Sequence, residues 1–341
     1  MHKSRASRRR FLKTTAAAGA AGIFAVPLIG RAEGRKLRIA TLAPQGSSWH
    51  KAFEKTARDL KERTEGALEM KIYAGGTMGD EGAMVRKMRH GQLDGAALTS
   101  VGLGQINQQL LALQLPLLFK NDKELDTVRG AMSDTFSGLL GDAGFRLGAW
   151  GDVGFIYLFS NTPVATPDDI KGTKMWVWDT DPVSKAVMKV AGVNAVPLGV
   201  PDVLPSLETG LIDAFTNSPY GAIALQWYTK ARYVTNLKLS VGIGGSVITT
   251  KAWDSLEPAH QEALTAITQE NYGKLLTRIR DDNGRAIKTL KDKGMEVVEP
   301  TDIVKWATIA VQAREKLVAE GDLDGTIVAK VLEQVKIAAG R

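Results

Sequence analysis

Between Lys36 and Thr41 apolar and polar positions alternate with the period of a strand. The loop Ala43-Pro44-Gln45-Gly46-Ser47-Ser48 follows, and the spacing then lengthens to that of a helix. Ser48 is a suitable N-cap, and Trp49, Phe53, Ala57 and Leu60 share one face. Leu68 to Tyr73 returns as a strand, Gly75-Gly76-Thr77-Met78-Gly79 is a loop, and Glu81 to His90 is helical up to Gly91, a good left-handed cap. Asp94 to Thr99 is again strand-like. The two periods alternate to about residue 250, which predicts an α/β fold. From Pro258 the period is helical alone, with Ala263, Ile267, Tyr272, Leu275 and Ile279 in phase. A helical tail runs from Ile303 through Val335.

One segment echoes another. Met88 to Ala96 and Leu207 to Phe215 each supply a helix end, a Gly, an apolar position, an Asp and then a strand, at a constant offset. Such junctions are common in α/β proteins, so the echo is either coincidence or the mark of two similar lobes. Two lobes would place a ligand cleft between them.

Composition narrows the picture. A length of 341 residues suffices for two cores. With 44% hydrophobic and 24% charged residues the chain resembles ordinary globular proteins, not disordered or membrane ones. The formal charge of +7 suggests nucleic acid until its origin is located. Lys3, Arg5, Arg8, Arg9, Arg10, Lys13 and Arg31 all lie in the first 32 residues, without an acid among them. The 44 Lys and Arg less these 7 equal the 37 Asp and Glu, so the remainder is formally neutral. No electrostatic case for DNA, RNA or an anionic membrane survives. The absence of cysteine removes disulfides, thiol catalysis, thiolate metal sites and a lipidated cysteine at an export cleavage point.

The same basic residues have a second meaning. Ser7-Arg8-Arg9-Arg10-Phe11-Leu12-Lys13 carries the paired arginines and Phe-Leu-Lys of a twin-arginine signal. Thr14 to Ile29 is Ala-rich and too weakly apolar for a stable membrane anchor. Gly30-Arg31-Ala32 then offers small residues at a cleavage point near Ala32. Residues 1–32 are therefore expected to be an export signal, and the mature protein to work in the periplasm.

Thr166-Pro-Asp-Asp-Ile-Lys-Gly-Thr-Lys-Met175, Gly192 through Pro197-Leu198, and Gly210-Leu-Ile-Asp213 occur in order, followed by Asn217-Ser218-Pro219. With Leu115-Pro-Leu-Leu-Phe119, Val203, Leu207, Ala252-Trp253 and Leu256, they resemble the solute-binding subunits of tripartite ATP-independent periplasmic (TRAP) transporters, the DctP-like family. The resemblance implies a two-lobed periplasmic binding protein fold, with hinge segments, a long connecting helix and a helical tail. Lobe I would comprise 33–154 with about 243–281, and lobe II about 155–242 with 282–341. It further implies closure on a small solute, no enzymatic activity, and membrane permease subunits as partners. The tail would either clasp a second subunit in a homodimer or brace the hinge.

The chain departs from the family at two positions. Family members usually place an arginine just after Lys-Gly-x-Lys-x, where its fork grips a substrate carboxylate; here stands Trp176. A second basic residue is common in a Gly-x-Arg pattern before a Ser-Asn pair; here Gly154-Phe155 is followed by Ile156. A buried carboxylate without a cation is unfavourable by several kcal/mol or more. The captured solute is therefore expected to be apolar, aromatic or cationic. Trp176 and Trp178 would point to one face of an extended segment and form an aromatic wall, or else belong to the core. Further candidates are Gln45, Ser47 and Trp49 near the first strand–helix loop, Tyr73, Met78, Ser100 and Leu103 after other strands, and Asn217, which matches a family contact position. Phe155 and Tyr157 share one face of a strand, with Ile156 on the other. Packing or loop capping is the competing expectation for each.

Other chemistry lacks its motif. Gly102-x-Gly104 and Gly242-Ile-Gly-Gly245 fall short of a dinucleotide fingerprint, and no nucleophile elbow, phosphate loop or His-Glu-x-x-His is present. His50, His90 and His260 are scattered. Asp179-Thr180-Asp181 with Asp152 could offer oxygens to a cation, but the turn is short. No cofactor and no metal is expected. A periplasmic carrier or sensor of a hydrophobic ligand on the same fold is the alternative, and an enzyme would need an acid–base pair that the sequence does not assemble.

Overall fold

The computed structural model describes residues 34–340. The twin-arginine segment and its cleavage point lie outside the described residues. The chain begins with β1 (Arg35–Thr41), α1 (Ser48–Arg63), β2 (Leu68–Tyr73), α2 (Glu81–Arg89), β3 (Gly95–Thr99) and α3 (Ser100–Ile106). After a 3-10 turn at Gln108–Gln114 come α4 (Asp122–Ala131), α5 (Ser133–Asp142) and the long β4 (Phe145–Ser160). β5 (Trp176–Trp178), α6 (Pro182–Ala191), β6 (Val196–Leu198), α7 (Val200–Thr209) and β7 (Ala214–Asn217) follow. The chain closes with α8 (Pro219–Ala224), β8 (Tyr233–Thr249), α9 (Thr250–Asp254), α10 (Pro258–Asp292), β9 (Glu296–Val298), α11 (Ile303–Ala319) and α12 (Gly325–Ala338).

The internal echo is realised in the sheets. β1 lies between β2 and β3, all parallel. β5 pairs in parallel with β6 and, through a Met175–Ala214 bridge, reaches β7. Each set is βαβαβ, and each ends on an antiparallel neighbour: β3 on β8, and β7 on β4. Asp94 and Asp213 do the same work at equivalent points. Asp94 Oδ2 accepts the Arg38 N–H at 2.8 Å, and Asp213 Oδ1 accepts the Lys174 N–H at 2.7 Å. Their own N–H groups return to the Arg38 and Lys174 carbonyls. Gly91 and Gly210 precede them at φ +69° and +70°, left-handed values that let each helix turn into its strand.

β4 and β8 pair with each other from Phe145–Thr249 to Ser160–Tyr233 and connect the two sets, with register irregularities at Leu147/Ala149, Asp152/Gly154 and Ile156/Leu158. The 35-residue α10 packs along β4, α1 and α8, burying Ala263, Tyr272, Leu275 and Ile279 from the predicted stripe. Two local readings change. Ser47, not Ser48, caps α1, accepting the His50 N–H at 3.2 Å, while the Ser48 hydroxyl donates to Asp282 at 2.6 Å. The tail is broken in two at Gly321 (φ +79°), and the Asp324 carboxylate restarts it as the cap of α12. α11 packs on α6, and α12 on α4 and the 108–114 turn, so the tail touches both halves.

Gly154 sits where β4 crosses between the halves, at φ +113°. A Cβ there would stand 2.4 Å from Asn283 Nδ2. That amide donates to the Val153 and Ile279 carbonyls, and its oxygen accepts the Tyr220 N–H. Gly154→Ala is expected to destabilise the fold by about 2 kcal/mol or more, combining backbone strain with a displaced Asn283. Urea unfolding measures this; a loss under about 0.5 kcal/mol would contradict it.

Candidate functional site

The parallel strands of both halves run toward one space, and the segments that follow them enclose it. A cavity of about 280 Å³ lies there, near the lower end of small-ligand pockets. Its walls come from Thr41 to Pro44 after β1, Thr99 to Val101 after β3, and Met175 to Trp178 along β5. Thr216 and Asn217 on β7, Tyr272 and Leu275 on α10, and the middles of β4 and β8 complete them. The lining is dominated by apolar groups. Glu81, Asp152 and Asp181 are its charged members, and no Lys, Arg or His belongs to it among the described residues.

Five of the predicted site residues meet at this cavity: Trp49, Ser100, Trp176, Trp178 and Asn217. Trp176 is 7% exposed, edge-on to Trp227 at 5.3 Å between ring centroids and 6.2 Å from Trp178. It is therefore both a core residue and a wall residue. The three indole N–H groups are already engaged: Trp49 donates to the Asp152 carbonyl at 3.0 Å, Trp176 to the Leu198 carbonyl at 3.0 Å, and Trp178 to Asp80 Oδ2 at 2.6 Å. Ser100 donates its hydroxyl to Gln114 Oε1, and Asn217 Oδ1 accepts the Ser218 N–H at 2.8 Å.

The other candidates lie elsewhere. Gln45 is exposed and Ser47 is spent on capping α1. β2 is the edge of its sheet, so Tyr73 at its end packs on the core of the first half, its ring under the Lys71 ammonium at 4.8 Å. Met78 packs on the same core, which also contains the fully buried Leu103. Phe155 and Tyr157 take the face of β4 away from the cavity, and Ile156 lines it. Phe155 lies under the Lys238 ammonium at 4.2 Å, and Tyr157 packs on the cluster around Phe159 and Phe215. Gln114, Ser240, Thr216, Trp227 and Tyr272 also line the cavity and were not singled out from sequence. They come from a 3-10 turn, a crossing strand, a short strand, another turn and a helix, and carry no shared spacing.

Direct hydrogen bonds join the halves around the cavity. Trp178 reaches Asp80, Gln105 Nε2 donates to the Thr180 carbonyl at 3.1 Å, and Gln114 Nε2 donates to Asp181 Oδ1 at 3.1 Å. On the opposite rim the Tyr220 hydroxyl accepts the Ser48 N–H at 2.8 Å, with its ring 4.8 Å from Trp49. Asp152 is held by Arg129 at 2.5 Å and Arg280 at 2.8 Å, both of which also bind Asp126. This network ties α4, β4 and α10. It also removes Asp152 from any shared cation site with Asp179 and Asp181, and no cluster of three metal-ligating side chains occurs among the described residues.

Glu81 is 1% exposed, and its burial pushes the carboxyl up to about 7, against donors at 2.7 Å from Thr99 N–H, Thr99 Oγ1 and Gly102 N–H. A carboxyl whose folded value is raised favours the folded state when protonated. Its contribution is full below about 4.5 and is lost as pH rises through about 7, on the order of 3 kcal/mol. Glu81→Gln should flatten that part of the stability profile, measured by urea unfolding at a series of pH values. An unchanged slope in the variant would contradict the assignment. Burial also raises the Asp181 carboxyl, which caps α6 through the Val183 N–H at 2.9 Å.

Three comparisons bear on this architecture. The family model DctP, bacterial extracellular solute-binding protein family 7, matches residues 39–320. The 2,3-diketo-L-gulonate-binding periplasmic protein YiaO of Escherichia coli (strain K12) is 28% identical over 272 residues, covering 79% of this chain and 82% of that protein. The sugar acid binding protein DctPAm of Advenella mimigardefordensis, solved with galactonate, superposes with a TM-score of 0.84 at 21% identity, over 90% of this chain and 99% of that one. A TRAP periplasmic solute binding protein of Chromohalobacter salexigens, solved with D-glucuronate, gives 0.81 at 22% identity, over 89% and 99%.

Proposed function

The chain belongs to the DctP family of bacterial extracellular solute-binding proteins, and from that premise we propose that it captures an uncharged or non-anionic small solute in the interlobe cavity. Proteins of this family bind small solutes and work with membrane permease subunits. In this reading the protein delivers its solute to such a permease and carries out no chemistry on it. The twin-arginine segment would bring it to the periplasm already folded, with cleavage near Ala32.

The observation that carries the choice of solute is the cavity lining: a wall of tryptophans and no basic side chain. The relatives named above hold sugar acids, and likeness alone would extend that class to this chain. A buried carboxylate here would lack an ion partner, which is unfavourable by several kcal/mol. In this reading closure bends the crossing of β4 and β8, near Gly154 and Gly242. It divides 33–154 with 243–281 from 155–242 with 282–341, α12 reaching back to the first. A ligand touching both lobes favours the closed state by its extra contacts there.

Titration calorimetry with galactonate and D-glucuronate tests the choice of solute. No binding heat is expected for either up to about millimolar concentration. Micromolar binding of either acid would overturn the reading.

A further inference from the structure

The chemistry of the cavity wall names a solute class more narrowly, provided the interlobe cavity is the solute site as read above. Trp49, Trp176 and Trp178 spend their N–H groups on the protein, so what remains for a solute is the electron-rich ring face. Ring faces attract cations and disfavour anions.

A carboxyl lies against this wall from a neighbouring element. Asp181 is 7% exposed, lines the cavity, and follows β5 so closely that its N–H donates to the Trp178 carbonyl at 3.1 Å. It forms no ion pair among the described residues. Its hydrogen bonds from Gln114 Nε2 at 3.1 Å and Val183 N–H at 2.9 Å both end on Oδ1. Gln114 is fixed in turn by the Ser100 hydroxyl. The second oxygen lies on the side of Ser184, whose hydroxyl and N–H also lean on this carboxyl, and with no cation against it the group keeps its charge available to a solute. A metal ion would need further ligating side chains that the site does not assemble. A single N–H bearing group needs one carboxylate oxygen and an aromatic face, and both are present.

We propose that the solute is an organic cation, its ammonium group held by Asp181 and its apolar body resting on Trp176 and Trp178. Asp181 then determines specificity, and Gln114 and Ser100 position it.

The exported protein is screened by thermal shift against a metabolite panel graded by charge. The panel includes the matched trio 3-phenylpropylamine, 3-phenyl-1-propanol and 3-phenylpropionate. Cations are expected to give the largest shifts. The Kd of the best cation should rise about tenfold or more in Asp181→Asn, where the asparagine still caps α6. It should stay within about twofold in Asp179→Asn, an exposed neighbour used as control. If no cation shifts the protein, the proposal fails. If neutral compounds bind best and Asp181→Asn is within about twofold of wild type, the proposal fails while the non-anionic reading stands. If carboxylates bind best, both fail.

Discussion

Trp176→Arg is expected to destabilise the folded chain by about 3–5 kcal/mol and to eliminate capture of the native solute. Trp176 is 7% exposed, with its ring edge-on to Trp227 at 5.3 Å and its N–H on the Leu198 carbonyl. Arginine would lose most of that packing. Its guanidinium would be left buried among the rings of Trp178 and Trp227. The ring faces would attract it, but by far less than the desolvation it suffers. Urea unfolding gives the stability change, and calorimetry with the identified solute gives the affinity change. Trp176→Phe should keep most of both. A Trp176→Arg protein within about 1 kcal/mol of wild type, still binding the solute, would remove Trp176 from the cavity wall.

The second large effect concerns Asp152. Asp152→Ala should lower stability by about 3–5 kcal/mol, because it strands Arg129, which is 5% exposed. Asp126 would remain to Arg129, but that carboxylate is half exposed and already shared with Arg280. Replacing both partners, as Arg129→Met with Asp152→Leu, should recover much of the loss, since two apolar groups leave only Arg280 to be solvated from its open side. Denaturant midpoints of wild type, Arg129→Met, Asp152→Leu and the double variant form the double-mutant cycle. Additive losses would mean that the pair is not coupled.

Much of the fold was legible because it depends on local period and on two repeated junctions. β1, β2, β3 and the stripe of α10 follow from alternation and helical spacing alone. The Asp94 and Asp213 junctions were visible as letters, and their equivalence is physical: each carboxylate clamps the N–H of the adjacent parallel strand. The break of the tail was also available, as a glycine followed by Asp324 in capping position, but the apolar spacing on either side ran through it. Ser47 and Ser48 are both competent caps, and only the distant Asp282 decides which hydroxyl is free for α1.

The site was legible only in part. Trp176 and Trp178 share a strand face, so their meeting at one wall follows from period two. For Phe155 and Tyr157 the period was right, but alternation does not say which face of β4 meets the cavity. β4 is covered on both faces, and its register against β8 shifts at Asp152/Gly154 and Ile156/Leu158. Gln114 and Asp181 are 67 residues apart and meet through a 3-10 turn that no motif announces. The two positions where the family usually carries a basic residue hold Trp176 and Ile156, both in the cavity lining, and among the described residues no Lys, Arg or His joins them there.

The central claim is that this cavity holds a solute without a carboxylate. Native mass spectrometry of the protein purified gently from the cells that produce it tests it most directly, by identifying the small molecule retained in the folded chain. The account predicts a neutral aromatic compound or an organic cation, released on denaturation and lost from Trp176→Arg. A retained sugar acid or dicarboxylate would contradict it.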